Sequence, residues 1–331
     1  MKNITGVLAG TVFLAGCSDV LNVVGASDEG TETAPTVTTA PETPPPPSAA
    51  PSGANTITQT FASGATYSGE ISGGKQNGQG TYTTPDGYSY TGTWVDGRIE
   101  GQGVAKYANG SVYTGEFRDG KPNGQGKIVY ADGGSYEGTW VDAKIEGTGV
   151  AIYADGMLYE GEFKDSQHDG QGVATRPNGF RYEGGWKAGL QDGTGTATYE
   201  DGNVYEGEFV AGVRSGQGKI TMPGGFVYEG EWTDGQITGT GKATYPNGDA
   251  YEGAFVGGKR VGKGVATYAS GGTYDGEFVD DVRSGTGTYT GPDGFVYTGQ
   301  WSDGQITGRG IATYPDGTRL EGAFKNGEFV G

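Results

Sequence analysis

The sequence predicts an all-β protein, an elongated single antiparallel sheet of consecutive β-hairpins with a period of 23 residues. The phrase Tyr-x-Gly-x-Trp/Phe recurs every 23 residues, at Tyr67, Tyr90, Tyr113 and onward to Leu320, twelve copies without an insertion or deletion. The first copy ends in Ile71 in place of Trp or Phe, and the last begins with Leu320 in place of Tyr. The chain also contains 69 glycines, and each would cost a helix roughly 1 kcal/mol relative to alanine. A fixed period of this size is typical of repeat arrays, in which each unit buries apolar surface against its neighbours.

Each repeat is predicted to hold two strands and two turns. The first strand is Tyr-x-Gly-x-Trp/Phe, and the second runs from a Gly-x-Gly, such as Gly101/Gly103, to a tyrosine such as Tyr107. An Asn-Gly or Asp-Gly pair, such as Asn109-Gly110, then favours the positive φ angles of tight hairpin turns. Residues 57–61 fit the second-strand position ahead of the first full copy, and we expect such half repeats to act as caps.

The alternation of side chains predicts a sheet with two different faces. The Tyr, Gly and Trp/Phe positions of a strand point to one side, and the two residues between them point to the other. We therefore expect a ladder of aromatic rings in cross-strand contact on one face. The other face should carry a solvated ladder of carboxylates in two rows: Glu137, Glu160, Glu183, Glu206, Glu229, Glu252, Asp275 and Glu321, and Glu70, Glu116, Glu162, Glu208, Glu231 and Glu277.

Composition divides the chain into three segments. Residues 1–16 are predicted to be a lipoprotein signal peptide, because the apolar run after Lys2 is too short to span a membrane. The sequence Leu-Ala-Gly-Cys that ends at Cys17 resembles the bacterial lipobox, in which the cysteine is acylated, and Ser18 resembles the sorting context for the outer membrane. Residues 17–55, rich in Pro, Thr and Ser, are predicted to be a disordered tether. Residues 56–331 hold the twelve repeats.

The repeated phrase Tyr-Glu-Gly-Glu-Trp/Phe, followed by Asp-Gly-Lys-x-x-Gly-x-Gly and a Tyr-x-Asp-Gly, resembles the MORN repeat (membrane occupation and recognition nexus) across residues 56–331. The resemblance implies an extended single sheet of β-hairpins without catalytic residues of its own. It also implies a role in membrane attachment, in scaffolding or self-association, or, in eukaryotic members, in phosphoinositide binding. One departure is that many family repeats place a histidine before the first Gly of Gly-x-Gly, where this chain has Asn77, Glu100 and Asn123.

Composition and spacing argue against several chemistries. A net charge of −18 disfavours nucleic acid and anionic lipid as partners. The lack of Cys and His clusters disfavours zinc, no helix follows any Gly-x-Gly to complete a nucleotide fingerprint, and the Asp-Gly spacing matches no calcium loop. Carboxylate pairs such as Glu160/Glu162 would need a pocket that separates their pKa values, so we expect a solvated face, no cofactor and no metal. The sole cysteine, Cys17, excludes disulfides within the chain. His168, the sole histidine, is expected to be an ordinary surface residue in a turn.

These observations favour a non-catalytic, lipid-anchored scaffold or binding protein of a bacterial cell envelope, held at the outer membrane through acylated Cys17. Its partner would be a protein or a second copy. The candidate partner-binding residues form aromatic rows that we expect to be exposed, although for any one ring the favoured interpretation is stacking inside the sheet: Tyr90, Trp94, Tyr136, Trp140, Tyr228, Trp232, Tyr297 and Trp301. One alternative is a carbohydrate- or peptidoglycan-binding surface protein. Another is an envelope hydrolase, which is disfavoured because no stretch outside the array is long enough for a catalytic domain.

Overall fold

A computed structural model describes residues 56–331, which contain strands and turns and no helix. The predicted signal peptide and tether, with Cys17, lie outside this range. The strands are β1 (Thr56–Thr60), β2 (Thr66–Ser72), β3 (Lys75–Thr83), β4 (Ser89–Val95), β5 (Arg98–Lys106), β6 (Val112–Arg118), β7 (Lys121–Val129), β8 (Ser135–Val141), β9 (Lys144–Ile152), β10 (Leu158–Lys164), β11 (Gln167–Thr175), β12 (Arg181–Lys187), β13 (Leu190–Thr198), β14 (Val204–Val210), β15 (Val213–Thr221), β16 (Val227–Thr233), β17 (Gln236–Thr244), β18 (Ala250–Val256), β19 (Lys259–Thr267), β20 (Thr273–Val279), β21 (Val282–Thr290), β22 (Val296–Ser302), β23 (Gln305–Thr313), β24 (Arg319–Lys325) and β25 (Glu328–Phe329).

The described chain divides into two compact units. The first extends to Gly149 and includes Lys164–Gln167, and the second contains Val150–Phe163 and His168–Gly331. In the first unit each strand from β1 to β8 pairs antiparallel with the next along the chain. In the second unit the same holds from β11 to β25. The predicted all-β architecture of consecutive antiparallel hairpins is confirmed.

Each full repeat contains a short strand of seven residues and a long strand of nine, as β16 and β17 show. The short strand carries the Tyr-x-Gly-x-Trp/Phe phrase, as predicted. The long strand begins earlier than predicted, because β17 starts at Gln236 and the first glycine of its Gly-x-Gly is Gly239. The predicted half repeat at the start is confirmed, since β1 pairs with β2 over its whole length.

The two turns of a repeat differ in conformation. Between β16 and β17 the two-residue turn Asp234-Gly235 has φ values of 49° and 77°, so it is this turn that needs positive φ at both central positions. The predicted Asn-Gly and Asp-Gly pairs lie in the other turn, where only the glycine has positive φ, 87° at Gly248. There the Gly248 N–H donates to the carbonyl of Tyr245, 2.9 Å away, as in a three-residue hairpin loop closed by a left-handed glycine.

One face of each unit carries the predicted ring ladder, which we call the ring face. Every short-strand tyrosine from Tyr67 to Tyr297 is fully buried, and from Tyr90 onward the Trp or Phe four residues later is buried as well. Each of these rings meets its neighbours edge to face. In the second unit, for example, the Tyr228 centroid lies 5.7 Å from that of Trp232 and 5.1 Å from that of Phe255. Such edge-to-face pairs stabilise the sheet beyond the area they bury.

The ring face closes over the glycines because a tyrosine side chain lies across the backbone. A Cβ at Gly241 would lie 2.6 Å from ring carbons Cε2 and Cζ of Tyr228, and one at Gly230 would lie 2.5 Å from the Tyr228 hydroxyl. The hydroxyl then donates to the carbonyl of Glu231, 3.1 Å away. The Tyr228 ring therefore crosses the glycine of its own strand and that of the next strand.

Candidate functional site

The eight aromatic residues predicted to bind a partner are buried. Tyr90, Tyr136, Tyr228 and Tyr297 are at most 1% exposed, and their tryptophans Trp94, Trp140, Trp232 and Trp301 are at most 8% exposed. The expectation that these rows are exposed is therefore wrong. Their ring faces are covered by neighbouring rings and by the glycine backbone, so stacking inside the sheet accounts for their positions. A role for them in partner binding remains an untested prediction.

The tryptophans make a hydrogen bond that phenylalanine cannot make. The indole Nε1–H of Trp232 donates to the carbonyl of Gly218, 3.0 Å away, and Trp301 donates to Gly287 at 3.1 Å. The same bond recurs at the three other tryptophans. The alternation of Trp and Phe along the sequence thus corresponds to repeats with and without this bond, which the sequence pattern alone did not reveal.

The second row of carboxylates on the polar face has a structural role. In the bulge between β16 and β17, Glu231 Oε1 accepts hydrogen bonds from the backbone N–H of Thr240, 2.9 Å away, and from its hydroxyl, 2.6 Å away. These hydrogen bonds lower the pKa of Glu231. Gln300 makes the equivalent contact with the N–H of Arg309 at 2.8 Å. The row therefore caps the bulged glycine segment, and a catalytic carboxylate pair is not what its geometry suggests.

A variable position interrupts the ring face. The second residue of each long strand lies opposite the Trp or Phe of the short strand, as the pairs Phe209 with Arg214 and Trp301 with Ile306 show. We call this position the slot. Its occupants from the first long strand onward are Gln76, Ile99, Pro122, Ile145, His168, Gln191, Arg214, Ile237, Arg260, Arg283 and Ile306. Sequence analysis missed the slot, although its 23-residue spacing is readable once the start of the long strand is known.

His168 occupies a slot and is buried, so its predicted place in a surface turn is wrong. It is 7% exposed, and its imidazole stacks on Tyr159 with ring centroids 3.6 Å apart. The Tyr153 hydroxyl lies 2.6 Å from Nε2, and Trp186 meets the ring edge to face at 5.0 Å. Burial among these rings lowers the pKa of His168 to about 4, because desolvation disfavours the charged imidazolium.

Three slots hold arginines whose guanidinium groups lie over aromatic rings. The Cζ atom of Arg214 is 4.5 Å from the ring centroid of Trp232, and Cζ of Arg283 is 4.4 Å from that of Trp301. Each also donates to a turn carbonyl, Arg214 to Gly235 and Arg283 to Gly304, both at 3.0 Å. A cation held over an indole at this range is attracted by the negative ring face.

Two open cavities meet on the ring face of the second unit, and together they form what we call the arginine groove. The first, of about 550 Å³, is lined by Arg283, Tyr289, Phe295 and Trp301 among others. The second, of about 340 Å³, is lined by Arg260 and Tyr245 among others. Tyr268 lines both cavities, so the two are adjacent, with Arg283 lining the first and Arg260 and Asp249 lining the second.

The two arginines of the groove differ in how their charge is balanced. Arg260 Nε lies 3.0 Å from Asp281 Oδ1, and its terminal NH₂ donates to the Asp281 carbonyl. Among the described residues, by contrast, no carboxylate oxygen lies within 4.0 Å of the guanidinium of Arg283 or of Arg214. In a chain with a net charge of −18, a half-buried arginine without a carboxylate partner provides donors for an external anion.

Within residues 56–331, no cluster of three or more His, Cys, Asp or Glu side chains is arranged to hold a metal ion. In the same range, no helix has the length and hydrophobicity needed to span a bilayer. The groove is thus the feature of the described chain that combines open volume, aromatic rings and positive charge.

A family model of the MORN repeat matches eleven segments that repeat the strand and turn pattern described above: residues 67–87, 90–112, 113–135, 136–158, 159–181, 182–204, 205–226, 228–250, 251–273, 274–296 and 297–319. The chain belongs to the MORN repeat family. The twelfth predicted copy, starting at Leu320, lies outside the matched segments, although β24 occupies the corresponding short-strand position. The resemblance read from the sequence is therefore confirmed, and this MORN array carries its variable residues in the slots.

Comparison with curated proteins found no match. Among solved structures, the chain is similar to the SAS-4 (dCPAP) TCP domain of Drosophila melanogaster in complex with a proline-rich motif of Ana2, with 14% identity, a TM-score of 0.25, and coverage of 72% of this chain and 99% of that one. It is also similar to the TCP10 domain of Danio rerio CPAP, with 15% identity, a TM-score of 0.22, and coverage of 74% and 98%. Similarity at TM-scores this low supports no shared function.

Proposed function

We propose that this MORN protein is a non-catalytic, lipid-anchored binding protein of a bacterial cell envelope, and that the arginine groove is where it binds an extended polypeptide. The observation that carries the proposal is Arg283, a cation that is held over Trp301 in an open cavity and has no carboxylate partner among residues 56–331. A polypeptide offers both the carboxylates that pair with such an arginine and the apolar side chains that pack on Tyr268 and Phe295. A binding role also agrees with membership of a repeat family.

The anchor is proposed from the sequence. Cys17 ends a run that resembles a lipobox, and it lies outside the described residues. Acylation there would hold the array at the outer membrane, because two or more acyl chains anchor a protein stably. In cells fed a labelled palmitate analogue, the wild-type chain should incorporate label and Cys17→Ser should not. Equal labelling of the two proteins would refute acylation at Cys17 and would not bear on binding at the arginine groove.

The glycan and hydrolase alternatives are less well supported. The glycan alternative relied on the eight aromatic residues of the predicted rows, and these rings are buried. The hydrolase alternative relied on carboxylate pairs such as Glu229 and Glu231, but Glu231 is engaged by Thr240. Of these two sets of residues, groove binding uses only Trp301, the ring over which Arg283 is held.

Site-specific photo-cross-linking in living cells tests the groove. The full chain would carry p-benzoylphenylalanine in place of Phe295, which lines the groove, or in place of Thr298, which is exposed on the opposite face of the same hairpin region. We expect discrete protein adducts from position 295 and none from position 298. Equal adducts from both positions, or no polypeptide adduct from position 295, would contradict the proposed function.

A further inference from the structure

The chain itself contains a segment that is complementary to the arginine groove. Residues 17–55 carry five carboxylates, Asp19, Asp28, Glu29, Glu32 and Glu42, and no lysine or arginine. Seven of the 14 prolines also lie in this segment, four of them consecutively from Pro44 to Pro47. One threonine, Thr43, separates Glu42 from the proline run, so an acidic group and an apolar stretch lie close together in the sequence.

We propose, on the basis of the binding function stated above, that the arginine groove binds residues 41–51 of a second copy of the same chain, with Glu42 pairing with Arg283 and the prolines packing on the groove tyrosines. Aromatic-lined grooves are the usual receptors of proline-rich segments, because a polyproline II helix is already extended and loses little entropy on binding. Charge complementarity favours this occupant at one point of the groove: Arg260 is paired with Asp281 and Asp249 lines the second cavity, but Arg283 has no carboxylate partner among the described residues.

The spacing of the groove fits such a helix. Tyr245 and Tyr268 occupy equivalent positions one repeat apart, and one repeat comprises two strands, or about 9.6 Å at the usual separation of paired strands. A polyproline II helix advances about 9.3 Å per turn of three residues. Prolines three residues apart would therefore meet successive tyrosines of the array, so that one turn of the ligand corresponds to one repeat of the receptor.

The length of chain between the proline run and β1 favours a segment from a second copy as the occupant of the groove. Eight residues lie between Pro47 and Thr56, the first residue of β1, so an extended chain spans at most about 30 Å from Pro47 to Thr56. The groove lies eight repeats further along the sequence. A segment from another copy is not bound by that limit, and copies anchored in one membrane would meet often.

Cross-linking from the segment tests the identity of the occupant. The full chain, produced in bacterial cells, would carry p-benzoylphenylalanine at position 43 in place of Thr43. We expect a product with the mass of a dimer, whose cross-link maps by mass spectrometry to residues 245–306. A product that maps elsewhere on the array, a product with the mass of a monomer, or no product would overturn the proposal.

Matched variants distinguish charge pairing between Glu42 and Arg283 from non-specific association. Arg283→Gln should reduce the dimer product at least fivefold, and Gln191 already occupies an equivalent slot, so the array should still fold. Arg319→Gln, which removes an exposed ion pair with Glu321, is the control and should leave the product unchanged. Because Arg283→Gln also loses a cation–π contact, Glu42→Lys provides a second variant outside the described array and should give the same reduction. Unchanged product in Glu42→Lys would overturn the pairing.

The two proposals can fail separately. If position 295 forms adducts with another protein while position 43 forms none with the groove, the binding function stands and the assignment of the occupant fails. If position 295 forms no polypeptide adduct at all, the binding function itself fails.

Discussion

Acidification from about pH 8 to about pH 5 should weaken the fold around His168 by about 2 kcal/mol. The imidazole has a pKa of about 4 in the folded protein and 6.5 when exposed. Since the folded value is the lower one, the unfolded chain binds more protons between these two values, and stability falls as the pH falls through this window. Near pH 5 the imidazole is almost fully protonated in the unfolded chain and almost fully neutral in the folded protein. This difference in bound protons lowers the free energy of unfolding by about 2 kcal/mol. Below the folded pKa the loss levels off at about 3.4 kcal/mol.

The measurement uses the fact that His168 is the sole histidine. One imidazole C–H resonance followed by NMR against pH should show no titration until the pH falls below about 5. The titratable neighbours that contact the ring, Tyr153 and Tyr159, are tyrosines and remain neutral across this range. A midpoint between about 6 and 7 would refute the buried, ring-stacked geometry, since that is the range of an exposed histidine.

His168→Gln is the matched variant for stability, because Gln76 and Gln191 occupy equivalent slots. Its urea unfolding should lack the component of pH dependence described above, whereas the acidic side chains common to both proteins cancel in the comparison. The two proteins should unfold with equal m-values, so that the difference is a difference in free energy. A wild-type minus variant difference that does not change between about pH 8 and about pH 5 would show that His168 contributes nothing to acid sensitivity.

Three further outcomes follow from the geometry. Gly241→Ala should lower the free energy of unfolding by about 1–3 kcal/mol, as overpacking does, because the new methyl group would meet the Tyr228 ring. The control Gly224→Ala should be neutral or slightly stabilising, because nothing lies within 4 Å of the added Cβ. Equal effects of the two substitutions would contradict the packing of the ring over the glycine. Glu231→Ala should lower the melting temperature at neutral pH. Glu231→Gln keeps an acceptor oxygen for Thr240 and should lower the melting temperature less. Glu231→Gln should also remove the loss of stability at acidic pH that the lowered pKa of Glu231 produces. Burial raises the pKa of Tyr228 to about 12. The tyrosinate absorbance of the ring-ladder tyrosines should therefore rise late at alkaline pH and together with loss of structure. Smooth titration of these tyrosines near pH 10 in a folded array would contradict the burial of the ring ladder.

The sequence determined the repeat, the strand type and the chemistry of each face. A glycine between Tyr228 and Trp232 at period-two spacing is enough to predict a strand with rings on one side, because side-chain direction alternates in a strand. The unbroken 23-residue spacing is likewise enough to place consecutive hairpins side by side. These features depend only on local backbone geometry and on which residues recur.

What required the tertiary structure was the depth of burial and the start of the long strands. Alternation shows that Trp94 and Tyr90 share a face, but it cannot show that neighbouring rings and glycine backbone cover that face. The start of each long strand depends on a two-residue turn such as Asp96-Gly97, where an aspartate adopts positive φ, 49°. Sequence preference places that conformation at Asn-Gly and Asp-Gly pairs in general, without saying which turn of the repeat needs it twice.

The start of each long strand determines which residues occupy the slots, and therefore which residues form the arginine groove. Because β11 begins at Gln167 and β21 at Val282, His168 lies in a strand and not in the predicted turn, and the side chains of His168 and Arg283 both lie against rings. The sequence by itself thus determined a two-faced MORN sheet, because periodicity is a local property that every repeat restates. Only the tertiary structure decided that the ring ladder is a core and that Arg283 lies in an open groove, because burial and unpaired charge depend on which strands meet across the sheet.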